Sequence, residues 1–210
     1  CYNEFMINIH QQLLTRPTFV EIDNNVIRHN FSEVQKLTKG KKIMCIVKGN
    51  AYGHGIIPMG LLFQSLGADY LGVAIPEEGV ELRTAGVTIP ILVLSAISDR
   101  QISVCIDYDL TITAPSDEKL MMIDKTARDS GKQAKVHIKI DTGMGRIGVN
   151  WQRVAKFFPV MQECTHTVFE GLYSHFACSD GDTEFNIEQK NRMESVIQEF
   201  KDNSFDFDII

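Results

Sequence analysis

Lys48 closes the apolar run Ile43-Met44-Cys45-Ile46-Val47 and is followed at once by Gly49-Asn50-Ala51-Tyr52-Gly53-His54-Gly55. A short run of Ile, Val and Cys reads as a buried strand. The Gly-rich stretch behind it reads as a strand-end loop. A lysine aimed inward at such a place holds its charge where solvation is poor. Desolvation lowers an ammonium pKa and frees the amine, which can then form an imine with an aldehyde. The plainer alternative is a lysine whose stem lies along the strand end while its head stays in water. The residue by itself leaves both open.

The elements that would position it alternate between strand and helix. Strand-like runs cover 42–48, 70–75, 89–95, 110–114, 135–140 and 169–175. Helical spacing of apolar residues covers 56–66, 77–85 ending at Gly86, 116–130 ending at Gly131, 151–164 capped by Asn150, and 184–201. An earlier strand-like element at 18–23 and a helix at 25–37 precede them. Six βα units in a row argue for a parallel sheet. No dinucleotide-type Gly fingerprint follows the first strand. A complete (β/α)8 barrel takes about 250 residues, and Phe207-Asp208-Ile209-Ile210 reads as the start of a seventh strand. The expected fold is therefore α/β, a (β/α)8 TIM-type barrel truncated after about six units. A self-contained six-stranded domain is the alternative.

Composition narrows the function classes. The chain has 210 residues, 44% hydrophobic, with a net charge of −6 and signs mixed along its length. That supplies a globular core and lacks the basic footprint of a nucleic-acid binder. No apolar run approaches a membrane span, and no basic start with an apolar stretch marks a signal peptide. The first residue is Cys1 rather than Met, so the natural start is expected upstream. Cys1, Cys45, Cys105, Cys164 and Cys178 fit no zinc spacing and read as buried free thiols of a reducing compartment, the cytoplasm.

The stretch from Ile46 to Gly55 resembles the pyridoxal-phosphate attachment site of the alanine racemase family, with Gly49 where Ala is usual and Ile46 where Val is usual. Further stretches resemble the same family. Arg16-Pro17-Thr18-Phe19-Val20-Glu21-Ile22-Asp23 is similar to its opening, and Asn30 fits the helix that follows. Ala68-Asp69-Tyr70-Leu71-Gly72-Val73-Ala74, with Glu78, Leu82, Arg83 and Gly86 behind it, matches a second strand and helix. Lys139-Ile140-Asp141-Thr142-Gly143-Met144-Gly145-Arg146-Ile147-Gly148 and Gly171-Leu172-Tyr173-Ser174-His175-Phe176-Ala177 complete the set. Order and spacing agree from Arg16 to the end. Residues 1–15 are then an N-terminal extension and 16–210 the incomplete barrel domain of a fold-type III enzyme.

The resemblance implies interconversion of L- and D-alanine with pyridoxal 5'-phosphate as cofactor. Lys48 would hold the cofactor and serve as acid or base at the substrate Cα. Arg146 would contact the cofactor's phenolic oxygen and the substrate carboxylate, Tyr52 the phosphate, and His175 the underside of the ring. Lys139 would be carbamylated, turning a cation facing Arg146 into an anion; unmodified, the pair repels. His54 would support the loop. The opposing base, in the family a tyrosine from the partner's C-terminal domain, has no counterpart here. Neither do the phosphate cradle and the arginine opposite the pyridine nitrogen, so this stretch alone is expected to be inactive. The whole protein is expected to be a homodimer supplying D-alanine for peptidoglycan. A serine racemase of the same family, a non-catalytic barrel in cofactor homeostasis and a remnant that only mediates association are the other readings.

Overall fold

The computed structural model describes residues 20–210. The residue 1–15 extension and the first residues of the element expected at 18–23 lie outside the described residues; residues 20–23 form no strand. The chain divides into two compact units, Cys1–Lys39 and Gly40–Ile210. In the first unit the Asp23 side chain caps α1 (Asn24–Thr38) by accepting from the Asn25 N–H. The helix stops where Lys39 and Gly40 turn left-handed.

The second unit begins with β1 (Met44–Ile46), a short left-handed turn over Lys48–Tyr52, and α2 (Ile56–Ser65). β2 (Tyr70–Val73) and α3 (Pro76–Thr84) follow, then β3 (Ile91–Val93) and α4 (Asp99–Asp107), and β4 (Thr111–Ala114) and α5 (Asp117–Asp129). β5 (Ala134–Asp141) leads to the two-residue β6 (Val149–Asn150), a 3-10 helix (Trp151–Lys156) and α6 (Phe157–Glu163). β7 (Thr167–Tyr173) and α7 (Thr183–Asp202) come last. β1, β2, β3, β4, β5 and β7 pair in that order, every neighbour parallel. Ile209 then makes a parallel bridge to Gly171, and its carbonyl accepts from the Leu172 N–H at 3.0 Å. The expected opening of a further strand is thus in place.

Contacts across the sheet show that it curls into a barrel wall. Tyr70 on β2 donates its hydroxyl to Glu170 on β7 at 3.1 Å, although three strands separate them in the pairing order. Thr111 on β4 donates to the same carboxylate at 3.0 Å. Such bonds close only through an enclosed interior. A bulge helps: Val136 pairs with Phe169 but His137 pairs with Gly171, leaving Glu170 as the extra residue. The outer face of the strands buries Leu71, Ile91, Val93, Ile112, Val136 and Ile138, and the helices bury Leu82, Ile102, Leu120 and Ile123. Burial on both faces fits the apolar β2 and β3, whereas the interior face of β4, β5 and β7 carries Thr111, Thr113, His137, Lys139 and Glu170.

Two elements depart from the sequence outline. α4 has no counterpart among its helical patterns, because Ile102, Val104, Cys105 and Ile106 form a run that favours β; the Ser98 cap and Gln101 behind it start a helix. The helix expected over 151–164 breaks into the 3-10 helix and α6. Pro159 lacks an N–H, so it stands in the first turn of α6, where no intrahelical donor is needed. Among the cysteines, Cys105 and Cys164 are buried, Cys45 is half-buried, Cys178 is exposed, and all four are free. Among the described residues no helix is long and apolar enough to cross a membrane.

Candidate active site

Every loop that follows the C-terminal end of a parallel strand opens on one rim, and that rim is where this architecture places chemistry. Lys48 follows β1 there, half-buried behind the fully buried Val47. Gly49, Asn50, Ala51 and Tyr52 all have φ between 52° and 61°. A left-handed conformation costs roughly 1–2 kcal/mol per non-glycine residue, so other bonds must hold this turn. Ala51 N–H donates to Val47 O at 2.7 Å, and Gly53 and Gly55 N–H both donate to Asn50 O. Asn50 Oδ1 accepts from Ile56 N–H at 2.8 Å. From α3, Glu78 Oε1 accepts the Gly49 N–H at 2.6 Å while its Oε2 accepts from Ala74 and Ile75. One carboxylate therefore joins the lysine turn to the end of β2. Strain of this kind accumulates where a side chain must be aimed.

Arg146 stands on a loop wrapped around Asp141, whose carboxylate accepts from the N–H groups of Gly143 and Gly145. Glycine is required twice. At Gly143, φ is 145° and an added Cβ would lie 2.7 Å from the Phe185 ring; at Gly148, φ is 126° and it would lie 2.9 Å from the Asp141 backbone nitrogen. α7 packs behind the loop. Arg192 donates to Thr142 O at 2.7 Å, pairs with Glu188, and lies against the rings of Trp151 and Phe185.

The structure brings Lys48, Lys139, Arg146 and His175 into one field. The His175 imidazole is held below its ordinary value first by partial burial, then by the positive charges of Lys139, Arg146 and Lys48. Lys139, 3% exposed, has its amine pushed down to about 8 by burial and then by Arg146, partly offset by Asp141. Its Nζ lies 4.1 Å from the centre of the Tyr173 ring. Burial pushes the Tyr173 phenol up to about 12, and its hydroxyl shares a 2.7 Å hydrogen bond with Thr113. Among the described residues none of Lys48, Lys139 or Arg146 is in an ion pair. Tyr52, on the lysine turn, is 66% exposed and His54 Nδ1 meets Ala51 O at 3.0 Å. A cavity of about 290 Å³ lies elsewhere, at the strand starts between Lys42, Asp69, Tyr70, Glu170 and Asp208.

Sequence reasoning missed three residues of this rim's framework. Glu78 and Asp141 stood inside recognised stretches without a role, and Gln189 stood inside a helix. Asp141 had a local signal, an Asp two residues before Gly, as in an Asx turn. Glu78 and Gln189 bond to backbone far away in sequence, and nothing in their neighbourhood announces it.

The comparisons agree with this geometry. A family model described as the N-terminal domain of alanine racemase matches residues 22–210. The alanine racemase of Halothermothrix orenii is 40% identical over 186 residues, covering 88% of this chain and 49% of that protein. The solved alanine racemase of Clostridium difficile 630, in complex with cycloserine, superposes with a TM-score of 0.87 at 32% identity, covering 93% of this chain and 54% of that one. A histidine racemase from Leuconostoc mesenteroides superposes at 0.76 and 25% identity, covering 81% of this chain and 46% of that one. The chain spans about half the length of the curated relatives it matches. By that family model, by this identity and by the shared parallel barrel wall, this chain belongs to the alanine racemase family as its N-terminal barrel domain.

Proposed function

We propose that the whole protein is an alanine racemase that uses pyridoxal 5'-phosphate, with Lys48 as its cofactor lysine. The carrying observation is the convergence of Lys48, Lys139, Arg146 and His175 on one rim, with no ion pair to the three strong cations among the described residues. Such unspent positive charge fits a phosphorylated aldehyde together with an amino-acid carboxylate. When bound, the cofactor would supply an electron sink for the pair left on Cα.

This chain's residues would do the rest. Lys48 would hold the group covalently through Nζ and, once released, move a proton on one face of Cα. Arg146 would offer its planar guanidinium fork to the substrate carboxylate. Tyr52 would donate its hydroxyl to the phosphate, and His175 would lie under the ring. Lys139 would react as the neutral amine with CO2: an N–C bond forms, one proton leaves, and the resulting anion faces Arg146. The amine lowered to about 8 supports this, since roughly a tenth of it is already in the reactive neutral form at pH 7. The opposing base would come from beyond this half. The protein would then work in the cytoplasm as a homodimer and feed peptidoglycan synthesis.

The histidine racemase superposed on the same half supports testing substrates other than alanine. Serine, the alternative within the family that the sequence leaves open, is the second reading for substrate. Racemisation assays of the protein expressed from its complete gene, with L-alanine, L-serine and L-histidine, separate these. Alanine should be preferred, and Lys48→Ala should lower kcat by roughly 10²–10⁴ or more. Equal rates with and without Lys48 would refute the assignment. Cofactor binding without turnover of any amino acid would favour the homeostasis reading.

A further inference from the structure

We propose that Gln189, on the outer helix α7, is a positioning residue that fixes the Arg146 loop and the His175 loop relative to one another. The inference rests on the reading of this rim as catalytic.

Gln189 is 1% exposed, and its whole amide is used. Nε2 donates to Thr142 Oγ1 at 3.0 Å and to His175 O at 3.0 Å, while Oε1 accepts from Ala177 N–H at 2.9 Å. Thr142 opens the loop that carries Arg146; His175 and Ala177 belong to the loop after β7. One buried side chain thus holds the backbone of one loop and the hydroxyl of the other. Thr142 Oγ1 also bonds Ser174 Oγ at 2.7 Å, and Ser174 donates to Ile140 O at 2.9 Å, so the residue before His175 is tied to β5 as well. The helix is suited to this task. Phe185, Gln189 and Arg192 stand at i, i+4 and i+7, on one face. That face meets the 142–143 segment at three points: the Phe185 ring against Gly143, the Gln189 amide on Thr142 Oγ1 and the Arg192 guanidinium on Thr142 O. Asn186 adds a bond to Cys178 O at 2.9 Å.

A buried, fully bonded amide has no slack, so the two loops move together or not at all. Misplacing a catalytic group by about 1 Å can cost on the order of 10²-fold in rate. If the clamp opens, His175 also separates from the cations that face it, namely Lys139 on β5, Arg146 on its loop and Lys48 after β1.

The test uses the protein from the complete gene and its Gln189→Met variant, which keeps the volume and removes all three bonds. Imidazole titrations followed by NMR in cofactor-free protein, assigned with His175→Asn, report the local geometry without turnover. The expected result is that the His175 midpoint rises toward the ordinary histidine range while the other histidines keep theirs. With pyridoxal phosphate added, kcat for alanine should fall at least tenfold. An unchanged His175 midpoint together with kcat within twofold of the parent overturns the proposal. A shifted midpoint in a protein whose parent neither takes up cofactor nor racemises leaves the clamp standing and removes the catalytic reading of the rim. If Gln189→Met does not fold, Thr142→Val removes the Gln189 and Ser174 bonds to that hydroxyl together, with Ser174→Ala as the comparison that removes the second and leaves the first, and an unchanged midpoint in Thr142→Val overturns the proposal equally.

Discussion

His137 and Lys139 point into the same barrel interior, and burial works against the charge on each. His137 is 1% exposed, lies 5.5 Å from the Tyr70 ring and 6.3 Å from the Tyr173 ring, and its Nε2 has no hydrogen-bond partner among the described residues. Gly171 opposite it leaves room that a Cβ would fill. Desolvation pushes the imidazole down to about 4. Between about pH 4 and the unfolded value near 6.5, the unfolded chain binds the extra proton, so stability rises with pH across that window. The expected loss on going from pH 6.5 to 4 is roughly 3 kcal/mol from this group. Urea unfolding at several pH values, with His137→Phe as the comparison, should show a flatter profile in the variant. Lys139 has the same sign at higher pH: its lowered value makes stability rise between about pH 8 and the unfolded value near 10.4. In CO2-free buffer at pH 7, Lys139→Met should therefore gain about 1–3 kcal/mol, and bicarbonate should erase that advantage if the parent is carbamylated. Native mass spectrometry that shows no added carbamate under CO2 would count against the modification. Lys48, Arg146 and His175 were legible as residues because each stands in a dense local pattern. The burial of Lys139 was legible only as a repulsion with Arg146, since strand alternation does not say which interior positions are dry.

The turn over Lys48–Tyr52 joins a strained backbone to the end of β2 through one carboxylate. Glu78→Gln keeps the shape but leaves a single oxygen acceptor for the N–H groups of Gly49 and Ala74, which now have one oxygen each. Orphaning one of them should cost about 1–3 kcal/mol, read as a lower urea midpoint, and slow the labelling of Lys48 by aldehyde. Retained stability and labelling rate would show that the turn holds itself. The Arg146 loop has a steric counterpart. Gly143→Ala places a methyl group in left-handed backbone against Phe185. A loss of about 1–3 kcal/mol is expected from the strain alone, with kcat/KM for alanine falling alongside. The strands β1 to β5 and β7 were legible because their outward positions are apolar, even where the interior carries Thr111, Thr113, His137, Lys139 and Glu170. α4 was not, because its β-branched content contradicts the helix that Ser98 and Gln101 start. The left-handed turn itself was hinted at by the density of Gly and Asn after Lys48, but its hand is set by bonds to Val47, Ile56 and Glu78 that no local spacing reveals.

In the whole molecule, the barrel wall presents the candidate residues Lys48, Lys139, Arg146 and His175 at or just beyond the ends of β1, β5 and β7, and a parallel bridge at Ile209 continues the sheet beyond β7. This chain contributes a lysine on a strained turn and three cations without an ion pair among the described residues; the relatives it matches are about twice as long. The assignment of Lys48 is open to direct chemistry. The protein from the complete gene would be purified with pyridoxal phosphate, reduced with borohydride and digested, and the labelled peptide sequenced by mass spectrometry. A pyridoxyl group on Lys48, absent from Lys139 and Lys42, is the expected result. No adduct after reduction with excess cofactor, or an adduct on another lysine, would contradict the role given to Lys48 and with it the proposed racemase chemistry.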